Sequence, residues 1–156
     1  MILKIVSGGQ AGVDRAALDV AIELGIPHGG WIPKGRKTEG GKLPEKYRLK
    51  EMSTSSYTKR TEQNVIDSDG TLIISRGPLA GGSELTHKSA ILYDRPCLHI
   101  DLGTVNALQA VKTIRSWISR HGIEILNIAG PRASEDPEIY DITVQTLKEV
   151  FYHDPA

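Results

Sequence analysis

Residues 3–24, LKIVSGGQAGVDRAALDVAIEL, contain the pattern that decides the fold. The apolar, β-branched run of residues 3–7 predicts a strand that ends at Gly8 and Gly9. From residue 11 to residue 24 apolar side chains recur with helical spacing, and Gly25 follows at a position where glycine commonly ends a helix. A strand, a glycine turn and an amphipathic helix in this order are typical of a parallel α/β sheet.

The same alternation continues along the chain. Further strands are expected at residues 26–32, 71–75, 97–100 and 125–129, and further helices at residues 58–69, 83–93, 105–120 and, capped by Asp136 and Pro137, 136–150. Residues 33–48 are rich in Gly, Pro and Lys, show no periodicity and predict a long loop. The pattern therefore predicts one α/β domain over residues 1–156, with a mostly parallel sheet and helices on both faces.

Composition excludes several classes of function. Lys and Arg number 19 and Asp and Glu number 19, so the basic surplus of a duplex-binding protein is missing and no nucleic-acid partner is expected. No apolar run approaches the roughly 20 residues that span a bilayer, and residues 1–9 lack the features of a signal peptide. We therefore expect a cytoplasmic protein without a membrane partner.

Cysteine and histidine usage bears on metal binding. Cys97 is the single cysteine, so neither an internal disulfide nor a Cys-based zinc site is expected. The histidines do not have the spacing of metal ligands in the sequence. They are His28, His87, His99, His121 and His153. We expect no metal site.

Three predicted strands end in glycine-rich turns that lead into helices: SGGQAGVD at residues 7–14, GPLAGGSELT at residues 77–86 and AGPRAS at residues 129–134. In parallel sheets, ligands bind outside the carboxyl ends of the strands. Glycine lets the backbone approach a ligand, and the free N–H groups of the following helix favour anions. These turns predict a phosphate site, and the alternative for the first one is a tight strand–helix turn without a ligand.

Several polar side chains at these turns have more than one interpretation. Ser83 is a predicted N-cap and, with Thr86, a hydroxyl donor to a phosphate. Glu84 is either a catalytic carboxylate or an acid that complements the helix dipole. Arg132 either binds a phosphate with two hydrogen bonds or lies at the surface in an ion pair. Residues 33–48 hold six basic and two acidic side chains, as expected of a lid over an anion or of a solvated loop.

Six segments together carry a resemblance to a known family, and they are residues 7–18 (SGGQAGVDRAAL), 30–36 (GWIPKGR), 60–65 (RTEQNV), 68–73 (SDGTLI), 81–83 (GGS, with Thr86) and 127–132 (NIAGPR). In order and spacing they resemble the molybdenum (cofactor) carrier family, the circularly permuted YpsA-like branch of the SLOG superfamily of Rossmann-like nucleotide-ligand binders. The likeness extends from residue 1 to about residue 151.

The resemblance implies a Rossmann-like domain whose glycine turns hold a small phosphorylated, nucleotide-like ligand. The family name points to molybdenum cofactor, a pterin with a terminal phosphate, and family habit implies a homo-oligomer. Matched position by position, the implied binding residues are Gly8, Gly9, Gln10, Asp14, Arg60, Gly81, Gly82, Ser83, Thr86, Gly130 and Arg132.

Two functions follow from this resemblance. Related enzymes that release a base from a nucleotide carry a catalytic glutamate in a Gly-Gly-x-Gly-Thr-x-x-Glu turn. Here Thr86 takes the place of that glutamate, and Glu84 stands two positions earlier. The sequence therefore favours a binding or carrier protein. The alternative is a hydrolase of an N-glycosidic bond, with Glu84 or Asp14 as the acid/base.

Overall fold

The computed structural model describes residues 1–152, and His153 lies outside the described residues. The strands in this range are β1 Lys4–Val6, β2 His28–Gly29, β3 Trp31–Ile32, β4 Lys37–Thr38, β5 Gly41–Lys42, β6 Lys50–Glu51, β7 Gly70–Ser75, β8 Cys97–Asp101 and β9 Ile125–Ala129. The helices are α1 Val13–Leu24, α2 Tyr57–Ile66, α3 Gly81–Leu92, α4 Ala107–His121 and α5 Ile139–Tyr152. Over residues 1–152, each helix is too short or too polar to cross a membrane.

Five of these strands form a parallel sheet in the order β2–β1–β9–β7–β8. In the register of the sheet, Leu72 of β7 lies between Ile128 of β9 and Leu98 of β8. Every residue of β7 is buried, as expected for a parallel strand that is covered on both faces. The strand order places β1, β9 and β7 next to one another in the middle of the sheet.

The helices cover both faces of the sheet. Helix α5 packs against both α1 and α4, and α2 packs against α3. The β1–α1–β2 unit runs toward one edge of the sheet and the β7–α3–β8 unit toward the other, so right-handed connections place α1 and α3 on opposite faces. The main core joins Val13 and Ala17 of α1, Leu72 of β7, and Ile114 and Trp117 of α4. The predicted Rossmann-like α/β fold is confirmed.

Helix boundaries differ from the prediction by up to three residues, and α2 spans Tyr57–Ile66 rather than 58–69 while α4 spans Ala107–His121 rather than 105–120. Helix α1 begins at Val13 rather than at residue 11, and it ends at Gly25, which has a left-handed φ of 72°. The predicted N-cap at Ser83 is wrong, because α3 begins at Gly81 and the extended residue Ala80 precedes it without a side-chain cap. Ser83 therefore lies within the first turn of the helix.

The capping position predicted before α5 is also shifted. Asp136 Oδ1 accepts a hydrogen bond from the amide of Glu138 at 3.2 Å, and the carbonyl of Asp136 accepts one from the amide of Ile139 at 3.1 Å. These bonds close a turn at residues 136–138, and the helix itself begins at Ile139. Asp136 and Pro137 thus precede the helix instead of forming its first residues.

The region predicted as a strand and a long loop, residues 26–48, has more structure than expected. The predicted strand is divided into β2, in the main sheet, and β3, which pairs with β6. Strands β4 and β5 form an antiparallel ribbon within residues 33–48. Arg36 is buried and donates to the carbonyls of Leu43, Pro44, Tyr47 and Leu49 at 2.7–3.4 Å.

A second apolar cluster holds this region against α1. It consists of Leu18, Ile32, Leu43, Tyr47 and Leu49, all of which are buried. The hydroxyl of Tyr47 donates to a carboxylate oxygen of Asp19 on α1 at 2.6 Å. Residues 33–49 are therefore a packed part of the molecule.

Candidate functional site

The three glycine-rich turns meet at one end of the sheet because β1, β9 and β7 are neighbours. This is the position at which the strand connections change direction, where ligands bind in open α/β sheets. A pocket of about 60 Å³ lies there. The residues brought together at its wall from the predicted set are Gly8, Gln10, Asp14, Arg60, Gly82, Ser83, Thr86, Gly130 and Arg132.

Two predicted residues are not at the wall. A side chain at Gly9 would contact the leucines of residues 43 and 49, so Gly9 faces the second apolar cluster. Gly81 is exposed at the start of α3. Wall residues that the sequence prediction did not include are Thr61, Asn64, Asn127, Ala129, Pro131 and Glu135. The helical spacing of Arg60 and Asn64 is the signal that places Asn64 on the same face.

Close approaches of the backbone explain two of the glycines. A Cβ at Gly8 would lie 2.6 Å from Nη1 of Arg60, whose guanidinium donates to the Gly8 carbonyl. A Cβ at Gly130 would lie 2.2 Å from the carbonyl oxygen of Ile74 and 2.5 Å from a methyl group of Val13. Glycine at these positions lets α2 and the neighbouring strands close around the pocket.

Asp14 is a buried carboxylate at the pocket wall, with 9% of its surface exposed. Its Oδ2 accepts a hydrogen bond from the amide of Gln10 at 3.3 Å, and its own carbonyl accepts one from the hydroxyl of Ser7 at 2.9 Å. Burial raises the pKa of Asp14 from 3.8 to about 6, although the positive charge of Arg60 acts in the opposite direction. Asp14 makes no ion pair with any residue of the described range 1–152.

Gln10 lines the pocket and contains a buried hydrogen-bond donor. Its Oε1 accepts from the amides of Ala11 at 3.2 Å and Glu39 at 2.8 Å, which fixes the orientation of the side-chain amide. Gln10 is 6% exposed, and its Nε2 has no partner among residues 1–152. A buried donor without a partner is costly, and an acceptor atom of a ligand would satisfy it.

Three cationic side chains surround the ring of Tyr57, and two of them, Arg60 and Arg132, line the pocket. The ring of Tyr57 lies 4.3 Å from Lys37 Nζ and 5.4 Å from each of the guanidinium carbons of Arg60 and Arg132. Arg132 also lies 3.6 Å from a carboxylate oxygen of Glu135. Three positive charges around one aromatic ring favour an anionic ligand.

The N-terminal part of helix α3 forms another wall of the pocket. It begins without a side-chain cap, so its first amides carry the partial positive charge of the helix N-terminus. Ser83 and Thr86 line the pocket, and the Thr86 hydroxyl donates to the Gly82 carbonyl at 2.9 Å. Glu84 does not line the pocket, and its half-exposed carboxylate pairs with Lys88 at 3.2 Å.

The tip of the basic segment 33–48 touches the pocket from outside. The carboxylate of Glu39 accepts hydrogen bonds from the amide of Ser134 at 3.1 Å and from its hydroxyl at 2.5 Å. The amide of Glu39 also donates a hydrogen bond to Oε1 of Gln10. This ribbon therefore joins the first and third glycine turns, and its closure as a lid over an anion stays a prediction. Nowhere in residues 1–152 do three or more His, Cys, Asp or Glu side chains cluster as a metal would require.

Comparisons with known proteins agree with this architecture. The model of the circularly permutated YpsA SLOG family matches residues 5–151. The crystal structure of a "Putative molybdenum carrier protein" from Syntrophus aciditrophicus SB superposes with a TM-score of 0.95 at 59% sequence identity, covering 96% of this chain and 95% of that chain. A search of curated proteins found no match. Because the family match covers nearly all of the described residues, the chain belongs to the circularly permuted YpsA SLOG family.

Proposed function

We propose that this protein binds and carries a small phosphorylated, nucleotide-like ligand, with molybdenum cofactor or a related pterin or nucleotide as the candidate. The observation that carries the proposal is the buried Nε2 of Gln10, a donor without a partner among residues 1–152, in a pocket that Arg60 and Arg132 also line. Such a set of donors is suited to the oxygen atoms of a phosphate group. The name of the solved relative, a molybdenum carrier, supports the same ligand class.

The size of the pocket limits which part of the ligand is buried. A water molecule needs about 10–15 Å³ on this measure, so about 60 Å³ has room for roughly four to six small groups, as in one phosphate. A pterin or base would then lie outside the pocket, beside the exposed side of Tyr57 and the cations around its ring. Under this proposal the phosphate provides the affinity, and the side chains around Tyr57 select the pterin or base.

Thermal stabilisation tests the proposal. A ligand that binds only the native state raises its stability by about 2.7 kcal/mol at a concentration 100 times its Kd. We expect pterin phosphates or nucleoside monophosphates to raise the Tm, and their dephosphorylated counterparts, the matched control, to leave it unchanged. Equal stabilisation by the two members of each pair would contradict the proposal, since the phosphate would then contribute nothing.

One observation favours the alternative, a hydrolase of an N-glycosidic bond. Asp14 lies in the pocket and its pKa, raised by burial to about 6, suits a general acid near neutral pH. Glu84 has no such position, because it is outside the pocket and paired with Lys88. Incubation with a nucleotide panel and detection of the free base decides between the two functions. Turnover that Asp14→Asn abolishes would establish the hydrolase.

A further inference from the structure

We propose that Asp14 makes the pocket selective for a terminal phosphate that can share a proton with its carboxylate, over sulfate and over phosphate diesters. This inference rests on the proposed function and narrows its ligand class. It depends on a mixture of groups at one small pocket: several donors that need acceptors, and one carboxylate that needs a donor.

The carboxylate of Asp14 is incompletely satisfied by the protein. Its Oδ2 accepts the amide of Gln10 at a long 3.3 Å, and its Oδ1 accepts no hydrogen bond from residues 1–152. Asp14 is 9% exposed and makes no ion pair in that range, so it has one carboxylate oxygen for which residues 1–152 supply no donor. Buried carboxylates without such partners are rare because the desolvation cost is large.

Other groups at the pocket have the opposite requirement. Gln10 Nε2 is a donor whose orientation is fixed by the two amides that bind Oε1, so it cannot turn to offer an acceptor. Arg60 and Arg132 are donors only. A ligand with acceptor oxygens and one proton satisfies all of them together: its oxygens accept from the donors, and its P–O–H group donates to Asp14.

The charged groups around Asp14 do not remove this requirement. The positive charges that act on it come from Arg60 of α2, Arg132 of the third turn and Arg15 of α1. Glu135 adds a negative charge at the wall and is paired with Arg132. The effect of burial on the pKa of Asp14 is larger than the effect of these cations, so the pKa is raised. A carboxylate with a raised pKa binds a proton more readily, and sharing a ligand's proton would therefore stabilise it.

Oxyanions differ in whether they carry a proton that the carboxylate of Asp14 can accept. At pH 8, inorganic phosphate and sulfate are dianions of nearly the same size, but only phosphate retains a proton. A phosphate diester has no ionisable proton to share. The pocket therefore suits a phosphate that still carries a proton: inorganic phosphate at pH 8, and a monoester, whose second pKa is about 6, at and below that pH.

Isothermal titration of the full chain with inorganic phosphate and with sulfate at pH 8 tests the inference. A charge-assisted hydrogen bond corresponds to roughly 10- to 150-fold in affinity, and we expect phosphate to bind more tightly than sulfate by a factor in that range. Asp14→Asn, which can both donate and accept, should bring the ratio to within about threefold by strengthening sulfate. Methyl phosphate, which loses its last proton near pH 6, should bind the native protein more tightly at pH 5 than at pH 8, and dimethyl phosphate should bind at neither pH.

Glu135→Gln is the matched control, because it removes one negative charge from the same pocket without changing Asp14. It should strengthen both anions to a similar extent and leave their ratio unchanged. Native protein at pH 5, where Asp14 carries a proton, should bind sulfate more tightly than at pH 8, and this arm does not depend on the folding of any variant.

The possible results separate this inference from the proposed function. If phosphate and sulfate bind equally at pH 8, or if Asp14→Asn leaves their ratio unchanged, Asp14 does not select a protonated ligand, although the pocket remains a phosphate site. If neither anion nor any phosphorylated compound binds, the proposed function and this inference are both wrong.

Discussion

Asp14→Asn is predicted to stabilise the protein at neutral pH. The carboxylate is buried, and its pKa in the folded chain is about 6 against 3.8 for the unfolded reference. An acid whose pKa is raised by folding binds more protons in the native state, so its contribution to stability is lost as the pH rises from about 4 to about 6. Above pH 6 the native protein holds a buried charge that the unfolded chain leaves in water.

The size of the effect follows from the two pKa values. At about 1.4 kcal/mol per pKa unit, the raised pKa of Asp14 costs the native state about 3 kcal/mol at pH 8 and about 1 kcal/mol at pH 4.5. Asparagine keeps an acceptor for the Gln10 amide and carries no charge, so the variant avoids this cost. A gain of about 3 kcal/mol corresponds to a rise in Tm of about 6–12 °C for a chain of this size.

Urea denaturation of the native protein and of Asp14→Asn at pH 4.5, 6 and 8 measures the effect. The difference in free energy of unfolding between the two proteins cancels the titration of all other groups, and it should grow by about 2 kcal/mol from pH 4.5 to pH 8. A difference that is constant with pH, or a variant that is less stable at pH 8 than at pH 4.5 relative to the native protein, would refute the reasoning. Asp14 would then have an ordinary pKa.

Substitutions at three further positions test the pocket and the ribbon beside it. Arg132→Ala should weaken binding of a phosphorylated ligand by roughly 10- to 150-fold with little change in Tm. Arg132→Lys should restore only part of the affinity, since an ammonium group cannot make the planar contact with two hydrogen bonds. A variant that unfolds easily but binds normally would show that Arg132 has a structural role. Gln10→Glu should weaken binding roughly 100-fold in calorimetry, because an acceptor replaces the unpartnered donor; unchanged affinity would exclude Gln10 from the site. Arg36→Met should lower the free energy of unfolding by about 3 kcal/mol and speed hydrogen exchange in residues 33–49, since four carbonyls lose their donor. Unchanged exchange there would show that other contacts hold this segment.

The fold could be predicted from the sequence because its local patterns are unambiguous. Apolar runs such as β7 and amphipathic stretches such as α1 alternate, and this order allows few architectures. The strand order could not be predicted. Every residue of β7 is buried, so apolar and polar side chains do not alternate along the strand. Its sequence therefore does not identify the strands that lie beside it in the sheet. The adjacency of β1, β9 and β7, which brings the three turns together, is visible only in the structure.

The errors at Ser83 and in residues 33–48 have physical causes. Serine is a common N-cap, but the extended conformation of Ala80 lets α3 begin at Gly81, which turns Ser83 toward the pocket. A segment rich in Gly and Lys is ordinarily solvated, and a single buried Arg36 orders this one. The signal that sequence reasoning missed is the apolar set Leu43, Tyr47 and Leu49, which forms a small core with α1.

The polar groups at the pocket support its proposed role as the ligand site. Among residues 1–152, two buried side-chain atoms lack a hydrogen-bond partner, Gln10 Nε2 at the pocket and Thr143 Oγ1 on α5. Away from the pocket, charged groups are well matched: Asp19 accepts from the hydroxyls of Tyr47 and Tyr140, and Arg76 is held by Asp136 and Glu138. At the pocket, in contrast, residues 1–152 leave a buried amide donor without an acceptor and one oxygen of the Asp14 carboxylate without a donor, and helix α3 begins without a side-chain cap. Each of these features lowers the stability of the free protein. Because they lie together at the switch point of the sheet, one bound phosphate would satisfy them at the same time, which is why we assign the ligand to this pocket.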